Sequence, residues 1–161
     1  MMENSRISLV KMNEASKHRF HDVRFTYNVM KFITGHALTT EEAMDRYLKH
    51  LEEAYIGNYF VEEKSSLKTI GIAKIGEGDG GQIEIGYCLF EEYWGKGFAS
   101  EVAQMLVEIV KEKIKPDAIF GTVDSRNGAS VRILEKVGME KEKEWKEGNK
   151  TICRYLMTIA K

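Results

Sequence analysis

Two glycines and a lysine stand close together where a predicted strand passes into a predicted helix. The segment reads Glu91, Glu92, Tyr93, Trp94, Gly95, Lys96, Gly97. The start of a helix offers unpaired N–H groups and about half a positive charge, and glycine lets the backbone approach a phosphate without obstruction by a Cβ atom. The pattern favours an anion site, to which Lys96 would add a full charge. Because tight turns also use glycine, an ordinary turn remains open at this point.

Hydropathy patterning predicts the elements that position this loop. We expect strands over residues 6–11, 59–63, 68–75, 82–90 and 118–123, and helices over residues 14–27, from 39 to about 54, from 98 to about 112 and over 129–137. Thr39 and Glu42 have the spacing of a capping box. Residues 141–146 and 151–159 predict a closing hairpin. Consecutive strands indicate an α+β domain with a mostly antiparallel sheet.

Composition places the chain among ordinary globular proteins. Its 161 residues suit one domain spanning 1–161, and 24 basic against 25 acidic side chains give a net charge of -1. We therefore expect no direct nucleic-acid partner and no membrane partner. The first dozen residues lack an apolar stretch, so we expect no secretory signal and a cytoplasmic location. Cys88 and Cys153 are widely separated, which favours buried thiols over a disulfide.

A longer set of residues resembles one known family. Residues 94–99 read Trp94, Gly95, Lys96, Gly97, Phe98, Ala99 and are similar to the pyrophosphate loop of the GNAT superfamily of acetyl-CoA-dependent N-acetyltransferases, written Gln/Arg-x-x-Gly-x-Gly/Ala. Only the first position departs. Further matching positions are residues 30–35, Ile85, Gly86, Tyr87, Asn127, Ser130, Glu135, Lys136 and Gly138. The set resembles the branch containing the ribosomal-protein N-terminal acetyltransferases, and it implies helices on both faces of a mixed, mostly antiparallel sheet.

The resemblance implies where acetyl-CoA binds. Its diphosphate would lie on backbone N–H groups from Gly95 to Ala99, where the helix begins. Leu89 and Phe90 would bind the pantetheine arm through the backbone, and one N–H would polarise the thioester carbonyl. Asn127 would contact pantetheine or adenine. Four basic residues would either bind the phosphates or be ordinary solvated surface residues: Lys96, Arg126, Arg132 and Lys136.

The resemblance also implies roles in catalysis. An amine must lose a proton before it attacks a thioester, and Glu84 is the candidate base, acting directly or through water. The alternative for Glu84 is a strand carboxylate in a surface ion pair. Many members use a tyrosine to protonate the departing thiolate, but Leu134 stands at that position. A thiol of pKa about 8.5 needs only modest help, so Ser130 is expected either to assist the sulfur or to serve near the helix cap.

The resemblance therefore implies an enzyme that moves the acetyl group directly to a primary amine in a ternary complex. An α-amine loses its proton about 2.5 pKa units more readily than lysine, about 3.4 kcal/mol, which favours a peptide N-terminus or a small amine as acceptor. The alternative function is a catalytically silent acyl-CoA-binding or interaction module. We expect no metal, and the sequence leaves open whether the chain forms a homo-oligomer. We expect four aromatic residues either to line an acceptor pocket or to belong to the core: Phe25, Phe32, Tyr59 and Trp145.

Overall fold

One eight-stranded sheet organises the molecule. The computed structural model describes residues 2–4, 6–22, 24–48 and 56–160. Its strands are β1 (Met2–Glu3), β2 (Ile7–Lys11), β3 (Gly57–Glu63), β4 (Thr69–Glu77), β5 (Ile83–Leu89), β6 (Ala118–Asp124), β7 (Glu140–Glu147) and β8 (Lys150–Thr158). They lie in the order β1-β2-β3-β4-β5-β6-β8-β7. Among the described strands only β5 and β6 pair in parallel, which confirms the predicted mixed, mostly antiparallel sheet.

Helices cover both faces of this sheet. They are α1 (Tyr27–Met30), α2 (Thr40–Tyr47), α3 (Phe98–Ile109) and α4 (Gly128–Lys136), with 3₁₀ turns at Lys17–Asp22, Asp79–Gly81 and Glu91–Tyr93. Leu106 of α3 and Leu134 of α4 are buried in one hydrophobic cluster together with Ile85 of β5. Phe20 and Tyr47 are buried in a second cluster. Because neighbouring strand residues face opposite sides, β5 contributes to both clusters, and the predicted α+β fold is confirmed.

The predicted helix over residues 14–27 is wrong. Asn13 and Ser16 form a local turn in which the Asn13 amide donates to Ser16 Oγ at 2.9 Å and the Ser16 amide donates to Asn13 Oδ1 at 3.1 Å. Such side-chain bonds compete with a continuous helix. A 3₁₀ helix follows, and Thr26 then caps the separate helix α1 by accepting from the Val29 amide at 3.4 Å.

The remaining predicted elements are confirmed within the described residues. Thr39 and Glu42 form the predicted capping box, with reciprocal bonds of 3.0 and 3.1 Å. Helix α2 extends to Tyr47, and the predicted continuation to Ala54 lies outside the described residues. Helix α3 passes into a π-helical turn, Val110–Ile114, before Pro116. None of the described helices is long and apolar enough to cross a membrane.

Candidate active site

Residues 94–97, which we call the glycine loop, lie directly before α3. Gly95 and Gly97 have φ angles of +74° and +82°, a region that L side chains disfavour, so the backbone path through the loop requires glycine. Gly97 is the N-cap residue of α3 and offers no side chain to the helix start. The first intrahelical bond is donated by the Glu101 amide to the Gly97 carbonyl at 3.2 Å. The amides that precede Glu101 in the first turn therefore have no acceptor within the helix and suit an anion.

Two side chains hold this loop in place. Trp94 Nε1 donates to the Leu89 carbonyl at 2.8 Å, which ties the loop to the end of β5 although Trp94 is 48% exposed. Arg6 Nη2 donates to the Lys96 carbonyl at 2.9 Å. Trp94 occupies the position where the family pattern has Gln or Arg, and here its indole anchors the loop. The sequence did not indicate either contact, because the Arg6 contact joins distant segments and the Trp94 contact depends on the turn that the chain makes after β5.

The backbone of β5 is divided between its two neighbours. The Phe90 amide donates to the Ile70 carbonyl at 2.9 Å, and in an antiparallel ladder such pairs alternate. Even-numbered residues of β5 therefore bond to β4, and the amides of Tyr87 and Leu89 point towards β6. Of the two residues predicted to bind the pantetheine arm, Leu89 presents its amide to β6, whereas Phe90 has its amide engaged and its side chain buried in the second cluster.

Ladder pairing between β5 and β6 stops beside these amides. The two strands pair only through Ile83 with Ile119 and Glu84 with Phe120. Beyond those pairs both strands continue, to Leu89 and Asp124, without further ladder pairing between them. We call the space between residues 85–89 of β5 and 121–124 of β6 the β5–β6 gap. An extended ligand entering this gap can hydrogen-bond to the Tyr87 and Leu89 amides as an added strand does.

Glu84 lies where the gap begins and is engaged on both carboxylate oxygens. Its Oε1 pairs with Lys74 Nζ at 2.8 Å, and its Oε2 accepts from Thr122 Oγ1 at 3.3 Å. The Glu84 side chain is 21% exposed. Lys74 lies across Gly86, where a Cβ atom would come within 3.0 Å of its stem. The ion pair of the alternative interpretation is thus present, and it places a half-buried carboxylate at the gap on the face opposite α3 and α4.

Ser130 and Tyr87 meet on the other face of the gap. The Tyr87 hydroxyl is buried and has no hydrogen-bond partner among the described residues. Burial raises the pKa of Tyr87 to about 12, and a hydrogen-bonding contact with the Ser130 side chain that falls outside ordinary bond geometry opposes part of that rise. The Ser130 amide donates to Asn127 Oδ1 at 3.3 Å, so Asn127 caps α4. The Ser130 hydroxyl takes no part in this cap bond. Leu134, at the expected tyrosine position, is buried in the core.

Tyr87 is the residue that reasoning from the sequence missed. Its side chain alternates with Glu84 along β5, so a strand prediction places the two on opposite faces. The sequence did not indicate that Ser130 lies beside the Tyr87 hydroxyl, because β5 and α4 are distant in the chain. A buried hydroxyl without a partner is costly, and a bound ligand with a hydrogen-bonding atom would relieve that cost.

The predicted basic set does not form one cluster. Arg126 makes bonds of 3.0 and 2.7 Å with the two oxygens of Asp124, and its guanidinium lies 5.4 Å from the Phe32 ring centroid. Lys136 lies in the last turn of α4, at the end opposite Asn127. Lys96 has its ammonium 5.7 Å from the Tyr93 ring. Binding of phosphate by Arg126, Arg132 and Lys136 therefore remains a prediction, with Arg126 already committed to a carboxylate.

Other candidate residues have structural roles. Both cysteines are free, Cys153 is buried, and burial raises the pKa of Cys88 to about 12, which disfavours a nucleophilic thiolate. Phe25 and Tyr59 belong to the buried core. Within the described ranges, no group of three or more side chains is placed to hold a metal ion, and the expected absence of a metal stays a prediction.

Comparison with known proteins connects this site to one family. The profile of the family described as "Acetyltransferase (GNAT) domain" matches residues 6–140. The chain is 33% identical over 81 residues to the uncharacterized N-acetyltransferase p20 of Bacillus licheniformis, covering 50% of the chain and 45% of p20. The chain is likewise 33% identical over 73 residues to the uncharacterized protein YkkB of Bacillus subtilis, covering 45% and 42%. It thus spans about half the length of the curated relatives that it matches.

Two solved structures share the fold across nearly their whole length. A GNAT-family acetyltransferase from Bacillus anthracis superimposes with a TM-score of 0.82 at 25% identity, covering 98% of this chain and 97% of that one. The spermidine N-acetyltransferase of Vibrio cholerae, solved with CoA and spermine, gives a TM-score of 0.77 at 18% identity and covers 96% of each chain. At 18% identity, the similarity to the Vibrio cholerae enzyme establishes a shared fold and nothing about the substrate.

Proposed function

The chain belongs to the acetyltransferase (GNAT) domain family, and from that premise we propose that it transfers the acetyl group of acetyl-CoA directly to a primary amine. The observation that carries the proposal is the continuity of the glycine loop with the β5–β6 gap. The loop offers amides for a diphosphate, and the gap beside it offers the amides of Leu89 and Tyr87 for an extended arm. Acetyl-CoA has a diphosphate joined to such an arm and supplies the activated acyl group.

The chain's residues fit this ligand on three counts. The loop amides and Lys96 suit an anion, and the N–H groups of Tyr87 and Leu89 suit the carbonyl oxygens of the pantetheine arm. The buried Tyr87 hydroxyl, which lacks a partner, suits a hydrogen-bonding atom at the inner end of the gap. Asn127 and Ser130, at the start of α4, are the further residues that we propose contact the ligand.

The acceptor amine approaches, in this proposal, from the face that carries Glu84. Glu84 takes the amine proton, directly or through one water, as the nitrogen attacks the thioester carbonyl. Leu89 lies five residues beyond Glu84, about 16 Å along an extended strand, so the Tyr87 amide is better placed than the Leu89 amide to polarise that carbonyl. Leu89 then binds the arm further out. Thr122 and Lys74 orient the Glu84 carboxylate.

The departing sulfur lies on the opposite face, beside Ser130 and Tyr87. A tyrosine hydroxyl of pKa about 12 is a weak acid towards a thiolate whose conjugate pKa is about 8.5, so Tyr87 donates a hydrogen bond and retains its proton. Ser130 adds a second donor. This arrangement leaves the thiolate stabilised without requiring the tyrosine that Leu134 replaces.

We propose a peptide N-terminus or a small amine as the acceptor, acted on in the cytoplasm. The preference follows from the lower pKa of an α-amine, which a single ion-paired carboxylate deprotonates more readily than lysine. The fold is shared with a spermidine acetyltransferase, so polyamines belong among the small amines to be tested.

The experiment is incubation of the purified chain with acetyl-CoA and a panel of peptides, polyamines and lysine derivatives, with thiol release and acceptor mass as readouts. We expect catalytic acetylation of an α-amine or a small amine. Binding of acetyl-CoA without transfer to any amine would support the silent module instead. Acetylation confined to lysine side chains would contradict the proposed acceptor class.

A further inference from the structure

Arg6, the residue before β2, makes three contacts with the glycine loop and the first turn of α3. Its Nη2 donates to the Lys96 carbonyl at 2.9 Å, its Nε donates to Glu101 Oε2 at 2.6 Å, and its guanidinium carbon lies 4.1 Å from the Phe98 ring centroid. The side chain thus touches the loop, the first residue of α3 and the end of the first helical turn. Nothing about Arg6 in the sequence indicates this, because 90 residues separate it from Lys96.

The backbone of Arg6 is itself fixed. Its amide donates to Asn4 Oδ1 at 2.8 Å, and its carbonyl accepts from the Lys64 amide at 2.9 Å. Asn4 Nδ2 also donates to Glu101 Oε1 at 3.3 Å, so Glu101 is held by two side chains from this segment. The guanidinium is therefore presented from the sheet edge and can impose a position on the loop.

The contact with the Lys96 carbonyl determines the orientation of one peptide group. In a trans peptide the C=O and the following N–H point in opposite directions. With its carbonyl held by Arg6, the Lys96–Gly97 peptide directs the Gly97 N–H away from Arg6. Gly95 and Gly97 both have positive φ, and glycine leaves such a peptide free to rotate unless something holds it. A rotated peptide would turn the Lys96 carbonyl oxygen, which repels anions, towards the ligand.

We infer that Arg6 is a positioning residue for acetyl-CoA: by holding the Lys96 carbonyl, it presents the Gly97 amide to the diphosphate. The inference rests on the proposed function, since it assigns the diphosphate to this loop. Glu101 neutralises the Arg6 charge at close range, so Arg6 acts through geometry and adds little net attraction for phosphate. The role requires a planar fork that bonds to a carbonyl and a carboxylate at once, which a lysine ammonium on a flexible stem does not reproduce.

The test compares Arg6→Ala and Arg6→Lys with the control Arg19→Ala. Arg19 is also paired with a strand carboxylate, Glu62, at 2.7 Å, but it lies in the segment before α1. We expect both Arg6 variants to raise KM for acetyl-CoA about tenfold while kcat stays within twofold, because the lost contact affects ground state and transition state alike. The CoA-induced shift of the Gly97 amide resonance should shrink in both. Arg19→Ala should leave KM and that shift unchanged.

Arg6→Lys keeps the stem and the charge, so it covers the case in which Arg6→Ala does not fold. A folded Arg6 variant of either kind with wild-type KM and a wild-type Gly97 shift would overturn the inference. Wild-type protein that does not bind CoA at all would instead overturn the proposed function, so the two failures are distinguishable.

Discussion

Glu84 is the base of the proposed reaction. Because it is paired with Lys74, the test requires a control carboxylate that is also paired. Replacing the carboxylate with an amide keeps its shape and removes its basicity. We expect Glu84→Gln to lower kcat about 100-fold with little change in KM for acetyl-CoA. Glu142→Gln is the matched control, since Glu142 is also a strand carboxylate, paired with Arg154 at 2.8 Å. Equal activity of Glu84→Gln and wild type in steady-state assays would reject Glu84 as the base.

Tyr87 offers a single-atom test, because its hydroxyl is buried without a partner. Removing an unsatisfied hydroxyl is neutral or stabilising, so Tyr87→Phe should keep or raise Tm. If the hydroxyl bonds to the departing sulfur, the same variant should lower kcat about tenfold. Tyr155→Phe, at another buried tyrosine on β8, serves as the control. A Tyr87→Phe variant with a higher Tm and full kcat would show that the hydroxyl has no part in the reaction.

Asp124 predicts a pH dependence of stability. Its side chain is fully buried, and hydrogen bonding to Arg126 lowers the pKa of its carboxyl. A lowered folded-state pKa stabilises the protein above the ordinary value of about 3.9, and this contribution is lost as the pH falls towards the folded-state pKa. In urea unfolding between about pH 3 and pH 7, the free energy of unfolding should decrease less at acid pH for Asp124→Asn than for wild type. Parallel curves for the two proteins would contradict this assignment.

Between elements, the decisive junction is the one that joins β5 to α3. A Cβ atom on Gly95 would meet nothing within 4 Å, so Gly95→Ala adds backbone strain at φ +74° without a clash. We expect KM for acetyl-CoA to rise severalfold. Gly148→Ala is the matched control, because Gly148 has φ +58°, is equally unobstructed and lies in the β7–β8 turn. Both should lose about 1–2 kcal/mol of stability. An equal rise in KM in both variants would mean that strain alone explains it.

The elements also show how far the sequence predicts this fold. The capping box at Thr39 and the apolar face of α3 are local signals, and both were confirmed. The helix predicted over residues 14–27 failed because the Asn13 and Ser16 side chains close a turn that hydropathy does not register. The loop could be predicted from its glycines, but not the Arg6 and Trp94 contacts that hold it. The Arg6 contact depends on how distant segments pack, and the Trp94 contact depends on the turn between β5 and α3, neither of which hydropathy specifies.

Across the molecule as a whole, the sheet separates two sets of groups around one gap. Glu84 and Thr122 lie on the face covered by α1 and α2, whereas Tyr87 and Ser130 lie on the face covered by α3 and α4. The gap exists because β5 and β6 pair over only two residue pairs before each continues alone. A ligand in this gap is accessible to an amine from one side and to a stabilising hydroxyl from the other. The direct transfer that we propose follows from this two-sided arrangement.

The most direct test of the central claim is an amide-resolved NMR titration of the isotopically labelled chain with CoA. We expect the largest shifts on the amides of Gly95, Gly97, Phe98 and Ala99, with Leu89 and Tyr87 next along the gap. The Phe90 amide, bonded to Ile70, should move little. Saturable binding whose largest shifts lie elsewhere on the chain, or no shifts at millimolar CoA, would contradict the proposed binding of acetyl-CoA at this loop.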